Sequence, residues 1–240
     1  MAKQRPFAVF DIDGTLIRWQ LYHALADTLA TQGHIDPVVY QRMKDARMNW
    51  KRRGGSFKEY ELQVIDFYES MLKKLTYEQF ETAAKAVFEE YKDQVYTFTR
   101  DLIAKLKKEN YILFAISGSQ TEIVAMVADH YGFDDYIGTV YDRSGKGFSG
   151  QKTIGSLNKD KTLKELAKKH NVTFDRSVAV GDSRSDIAML ELVERPIALN
   201  PERDLFDYAK EQEWSVVIER KNMIYELESR DGKYELVKTN

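Results

Sequence analysis

Cysteine is absent from the 240 residues, so disulfides, thiolate catalysis and Cys-based zinc sites are excluded. Histidine is scarce. His23, His34, His130 and His170 show no metal-ligand spacing and are expected at helix surfaces or caps. No apolar run approaches the ~18 residues needed to span a bilayer. The apolar stretch Phe7-Ala8-Val9-Phe10 stops at Asp11, too short for a secretory hydrophobic segment. A cytoplasmic protein without membrane partners is therefore expected. Neither charge sign prevails: 36 Lys and Arg stand against 38 Asp and Glu, a formal net charge of -2. That balance gives no global pull toward nucleic acid. The hydrophobic fraction, 43%, is enough for one large domain, or for a core with a smaller insert.

What the chain does have is Asp11-Ile12-Asp13-Gly14-Thr15, directly after that apolar run. Two carboxylates at i and i+2 repel each other at a strand end. They make sense if a divalent cation sits between them and a reacting anion. Hard oxygen ligands of this kind suit Mg²⁺. An Asp beside such a cation can also act as a nucleophile.

Periodicity divides the rest of the chain. From about Leu16 to Val95 the pattern is helical. Leu21, Ala24, Leu25, Thr28 and Leu29 share one face. Asp36-Pro37 reads as an N-cap followed by Pro at the first helical position. Gly54-Gly55-Ser56 is a break with Ser56 capping the next helix, on which Tyr60, Val64, Phe67, Tyr68 and Leu72 recur. Thr76 with Gln79 forms a capping-box pattern opening a helix to about Tyr91. After Arg100, helix and strand alternate. Helices are expected around Leu102–Leu106 and over Thr121–Tyr131, Thr162–His170 and Asp186–Val193. Strands are expected over Tyr111–Ile116, Ser177–Val180 and Pro196–Leu199. A short hairpin is expected across Ser144–Gly147, and another flanks Asp231-Gly232. Alternation of this kind predicts a parallel sheet covered by helices on both faces, with ligands beyond the carboxyl ends of the strands. Asp11, Ser117 and Asp182 each fall at such an end.

Four segments can be taken together: Asp11-Ile-Asp13-Gly-Thr15, Ser117-Gly118-Ser119, the lysines Lys159 and Lys161, and Gly181-Asp182-Ser-Arg-Ser-Asp186. In order and spacing this set resembles the phosphatase branch of the haloacid dehalogenase superfamily. The helical insert after the first motif is similar to that of the phosphoserine-phosphatase-like subgroup. The resemblance covers roughly Phe7 to Pro201. It implies a Rossmann-like α/β core of residues 1–15 and 97–240 with a helical-bundle cap of residues 16–96. It also implies a Mg²⁺-dependent phosphomonoesterase acting on a small phosphorylated metabolite through an aspartyl-phosphate.

By the same resemblance Asp11 is the nucleophile, and Asp13 the general acid and then base. Asp11, the backbone carbonyl of Asp13, and Asp182 hold the metal, while Asp186 orients Asp182 or a metal-bound water. Ser117 and the Gly118 amide bind phosphate, and so does Lys159, with Lys161 as the fallback. A phosphotransferase would use the same intermediate, and a non-catalytic phosphate-ligand binder is the reading from another class.

The insert bears on substrate. Phosphoserine phosphatases place an amine-binding glutamate nine residues after the nucleophile, where this chain has Gln20. Their carboxylate-binding arginine corresponds to Val64. Both recognition charges are missing, which disfavours phosphoserine. From Arg42 to Lys58, seven basic residues stand against one acid. Arg52 and Arg53, with Gln20, are the candidate substrate contacts of the cap, against the alternative of a solvated helix face. Gly145–Gly150 fits G-x-G-x-x-G but falls in a hairpin, without the strand–helix context that dinucleotide binding needs. The oligomeric state stays open.

Overall fold

The structure is a computed structural model. It describes residues 4–55 and 57–240, and the side chains of these except at 57 and 58. Strand β1 (Pro6–Phe10) is followed by four helices: α1 (Leu21–Thr31), α2 (Pro37–Lys51), α3 (Phe57–Leu72) and α4 (Tyr77–Tyr91). Helix α5 (Thr97–Lys108) then leads into β2 (Ile112–Gln120), α6 (Thr121–Tyr131) and the hairpin β3 (Asp135–Ser144) and β4 (Gly147–Ile154). Next come α7 (Lys159–Lys169), β5 (Thr173–Gly181), a 3₁₀ turn at Arg184–Asp186, the short α8 (Ile187–Leu190) and β6 (Arg195–Leu199). Helix α9 (Arg203–Glu211) and strands β7 (Ser215–Arg220), β8 (Met223–Arg230) and β9 (Lys233–Thr239) finish the chain.

The strands form one sheet in the order β4-β3-β2-β1-β5-β6-β7-β8-β9. From β3 to β7 all neighbours are parallel; β4, β8 and β9 join antiparallel. Every residue of β1 is buried, as a central parallel strand covered on both faces requires. Its pleat splits the interior. Ala8 and Phe10 face a core built with α1–α6, whereas Phe7 and Val9 face one built with α7, α8 and α9. Strand order reverses at β1, with β2 on one side and β5 on the other. That is where open α/β sheets bind ligands.

The helical segment follows its sequence signals. Asp36 caps α2, accepting from Val38 N at 2.7 Å, and Pro37 is the first helical residue. Thr76 and Gln79 make both bonds of a capping box, at 3.2 and 2.9 Å. A cap of this kind is worth about 1 kcal/mol. The expected cap at Ser56 lies outside the described residues. The β3–β4 hairpin reaches over to the bundle. Tyr77 N donates to Lys146 O at 2.7 Å, Phe80 meets Phe148 edge-on, and the Tyr68 hydroxyl donates to Gln120. Arg143 lies over the Tyr77 ring, 3.4 Å from its centroid, and Lys152 pairs with Glu69. No described helix is long and apolar enough to cross a membrane.

Several elements differ from the sequence reading. Strand β2 runs on through Ser117–Gln120, because Gln120 still pairs with Thr139 of β3. The helix expected over Asp186–Val193 shrinks to Ile187–Leu190, since Asp186 closes a 3₁₀ turn first. Helix α9 and strand β7 are additional. His23 is only 1% exposed, packed between Tyr22, Tyr60 and Trp19, rather than on a helix surface.

Candidate active site

The chain leaves β1 at Asp11, whose amide donates to Val180 O of β5 at 3.0 Å. It then turns tightly: the carbonyl of Ile12 accepts from the amides of Leu16 and Ile17, each at 2.9 Å. Gly14 is what allows the turn. It sits at φ +81°, and a Cβ there would collide with the Asp182 carboxylate. The turn leaves Asp11 and Asp13 both buried.

Each carboxylate is held differently. Asp13 Oδ1 accepts from Leu21 N at 2.6 Å, the first amide of α1, and Oδ2 accepts from Ser117 Oγ at 2.7 Å. Burial lifts the Asp13 carboxyl above its ordinary range, and these two bonds pull against the rise. An acid poised this way can hold the proton that a leaving oxygen needs. Asp11 Oδ1 accepts from Lys159 Nζ at 2.7 Å. Burial raises Asp11 as well; the Lys159 charge opposes that, and Asp186 and Asp13 add to it.

The two candidate lysines are placed differently, and it is Lys159 that reaches Asp11. It opens α7, is 3% exposed, and donates to Asp11, to Asp186 Oδ1 at 2.6 Å and to Ile116 O at 3.0 Å. Three donors meet three acceptors, so the ammonium is fully satisfied. Lys161 is exposed. Asp186 spends its other oxygen on Asp182 N at 3.0 Å and Ser183 N at 2.9 Å. Gly181 makes room for it, since a Cβ there would strike the Asp186 side chain.

Asp182 is the least committed of the acids. Its carboxylate takes a 3.3 Å bond from Thr15 Oγ1, and its carbonyl accepts from Glu202 N at 2.9 Å. Burial, followed by the Asp11 and Asp186 charges, drives its carboxyl well above the ordinary range. Asp11, Asp182 and Asp186 each offer one oxygen within 4.8 Å of the others. One lysine against three such carboxylates leaves negative charge unbalanced. The all-oxygen donor set fits a hard divalent cation. Asp186 is bonded on both oxygens, whereas Asp11 and Asp182 each keep one oxygen without a described bond and could hold it.

The phosphate-binding candidates lie on β2. Ser117 Oγ donates to Asp13 and accepts from Ser119 N at 2.9 Å. Gly118 is exposed at this end of the strand, with its carbonyl bound by Thr139 Oγ1 at 2.7 Å. The helix that follows starts only at Thr121. Among the cap candidates, Gln20 is the N-cap residue of α1 but makes no side-chain cap bond. Arg52 and Arg53 are exposed at the end of α2, and no described bond joins them to Asp11, Asp13 or Asp182. Lys51 and Arg47 lie 5.6 and 5.8 Å from the Trp19 ring, and Arg47 is paired with Asp27 at 2.8 Å. Val64 is fully buried. Sequence reasoning gave Thr15 no role, although it stands within the first motif and touches Asp182. It also missed Glu202, which no motif marks.

A family model for haloacid dehalogenase-like hydrolases matches residues 8–191. A histidinol-phosphatase of Neisseria meningitidis is 24% identical over 224 residues, covering 88% of this chain and 97% of that protein. A Bordetella pertussis protein of unknown function superposes with a TM-score of 0.73 at 21% identity, covering 89% of this chain and 98% of that one. A phospho-aspartyl intermediate analogue of phosphoserine phosphatase gives 0.65 at 20% identity, covering 91% and 95%.

Proposed function

The chain belongs to the haloacid dehalogenase-like hydrolases, on the phosphatase side of that family, and from this premise we propose that it hydrolyses a small phosphate monoester through phosphorylation of Asp11. The observation that carries the reading is the buried Asp11 bound to Lys159 at 2.7 Å, with Asp13 two residues on. One Asp11 oxygen is spent on Lys159, leaving the other for in-line attack on phosphorus. Asp13 gives its proton to the leaving oxygen, then takes one from the water that opens the aspartyl-phosphate. Lys159 neutralises charge on the phosphoryl group. Ser117 Oγ and the Gly118 amide bind its oxygens, the serine hydroxyl turning from Asp13 to do so.

Asp11, Asp182 and the Asp13 carbonyl hold Mg²⁺, which when bound screens the nucleophile's charge from the phosphate it attacks. Asp186 fixes both Lys159 and the Asp182 backbone, a positioning role consistent with its saturated bonds.

Residues 16–96 serve as the cap and residues 1–15 with 97–240 as the core. Gln20 and buried Val64 stand at the positions counted for the charges a phosphoserine zwitterion needs, which disfavours phosphoserine as the ester. The basic end of α2 attracts it. Replacing Arg52 and Arg53 with Ala is expected to raise KM about threefold with kcat kept. Unchanged KM across the phosphate esters tested refutes that assignment.

The deciding test is phosphate release from a panel of phosphate esters, with Mg²⁺ and with EDTA, for wild type and Asp11→Asn. Turnover that needs metal and falls roughly a thousandfold in the variant supports the reading. Turnover surviving both treatments overturns it.

A further inference from the structure

The chain passes between core and bundle twice, at residues 16–20 and 92–96. The two passages run side by side. Ile17 bridges Val95, Arg18 N donates to Gln94 O at 2.9 Å, and Tyr96 N donates to Leu16 O at 2.9 Å. Both meet one acid, Glu219 on β7. Glu219 is only 5% exposed. One of its oxygens accepts from Arg18 Nη2 and from Thr97 N at 3.0 Å; the other accepts from Phe98 N at 2.9 Å. Arg18 also donates from Nε to Val95 O at 2.8 Å and lies over the Tyr96 ring, 5.0 Å from its centroid. Asn200 Oδ1 accepts from Glu219 N at 2.8 Å and so fixes the strand beneath.

The contacts continue into the active site from both ends of this clasp. From α5, Thr99 Oγ1 donates to Thr15 O at 2.7 Å, and Thr15 Oγ1 reaches Asp182. From Arg18, the chain runs three residues to Leu21, whose amide holds Asp13. Tyr96 lies close enough to Asp182 for that carboxylate, after burial, to help raise its phenol.

We infer that Arg18 and Glu219 are positioning residues: their ion pair pins both linkers to β7 and thereby sets Asp13 and Asp182 in register around Asp11. A charge buried this deeply costs stability unless its hydrogen bonds are complete. Here three donors complete them, two of them backbone amides at the start of α5. Its position at the crossing of the linkers explains why a buried acid follows the apolar run Val216-Val217-Ile218 of β7.

The inference rests on the proposed phosphatase chemistry for its kinetic consequence, but the clasp can be read independently. The experiment compares wild type, Arg18→Gln, Arg18→Lys, Glu219→Gln and the Arg18→Gln/Glu219→Gln double variant. Arg18 is half-exposed, so Arg18→Gln tests the clasp without emptying a core position. The first readout is amide hydrogen exchange at Thr97 and Phe98; the second is turnover of para-nitrophenyl phosphate with Mg²⁺. In Arg18→Gln, exchange at both amides is expected to quicken at least tenfold. Its kcat is expected to fall about tenfold with KM changed less than threefold, and Arg18→Lys to recover part of it. The double variant is expected to be no worse than the more damaged single one. Unchanged exchange and kcat in Arg18→Gln overturn the inference, as does a double variant whose losses simply multiply. Faster exchange in a protein whose wild type does not hydrolyse the ester with Mg²⁺ leaves the clasp standing and indicts the phosphatase reading instead.

Discussion

Acid should weaken this protein partly through one histidine. His23 sits on α1 with Tyr22 beside it, Tyr60 from α3 against its ring, and Arg47 of α2 nearby. Its Nδ1 lies 3.5 Å from the Tyr60 hydroxyl, and its Nε2 has no hydrogen-bond partner among the described residues. Burial, helped by the Arg47 charge, takes its pKa from 6.5 down to about 3. Between those values the unfolded chain binds a proton that the folded chain refuses. Stability from this group is therefore complete above pH 6.5, falls as pH drops through the window, and levels off near pH 3.

At about pH 4.5 the loss is two pH units at about 1.4 kcal/mol each, or about 2.7 kcal/mol. Asp11, Asp13 and Asp182, with raised values, act in the opposite sense, but they are common to wild type and variant and cancel in the comparison. The assay is urea denaturation of wild type and His23→Phe at about pH 7.5 and about pH 4.5. Relative to His23→Phe, the wild type should lose about 2.7 kcal/mol more on acidification. Equal losses in the two proteins would refute a buried neutral His23.

Two further outcomes concern the site itself. Lys159→Met leaves Asp11 and Asp186 buried without their cation, so thermal or urea unfolding without metal should show about 3–5 kcal/mol less stability. Added Mg²⁺ should restore part of that loss, and a variant as stable as wild type in EDTA contradicts the described ion pairs. Gly181→Ala drives a Cβ into Asp186, so it should displace the side chain that bonds both Lys159 and the Asp182 amide. Its kcat for a phosphate ester should drop at least tenfold with a smaller change in KM, and a fully active Gly181→Ala would show that Asp186 is dispensable.

The legible part of the molecule is the part where chemistry and local pattern coincide. Asp11 and Asp13 stand out because two like charges repel each other at the end of an apolar strand. The resemblance favours Lys159 over Lys161 through the helix start before Leu163, and the structure buries Lys159 while leaving Lys161 exposed. The capping box at Thr76 is purely local and forms as read. What failed needed distant partners. Glu219 carries no signal in the sequence, since amides more than a hundred residues earlier make it a buried acceptor. His23 looked like a surface residue because nothing within α1 predicts that Tyr60 will cover it. Helix α9 is rich in charge, and only Leu205 and Ala209 mark its buried face. Arg52 and Arg53 lie exposed just past the end of α2, where charge patterning put them.

The position of β1 in the sheet has a consequence for the order in which the molecule can be made. Phe7 pairs with Ile112, and Val9 with Ala179. As the chain emerges from the ribosome, its first strand has no neighbour until more than a hundred residues have followed, and its second side stays open until β5, past residue 170, has been made. Helices α1–α4 can collapse on one another in the meantime, because their contacts are short in sequence. The carboxylates of Asp11 and Asp13 thus wait, solvated and apart from Lys159 and Asp182, until α7 and β5 have been made. A nascent chain cut off before β5 carries the first motif in full and still has no catalytic centre.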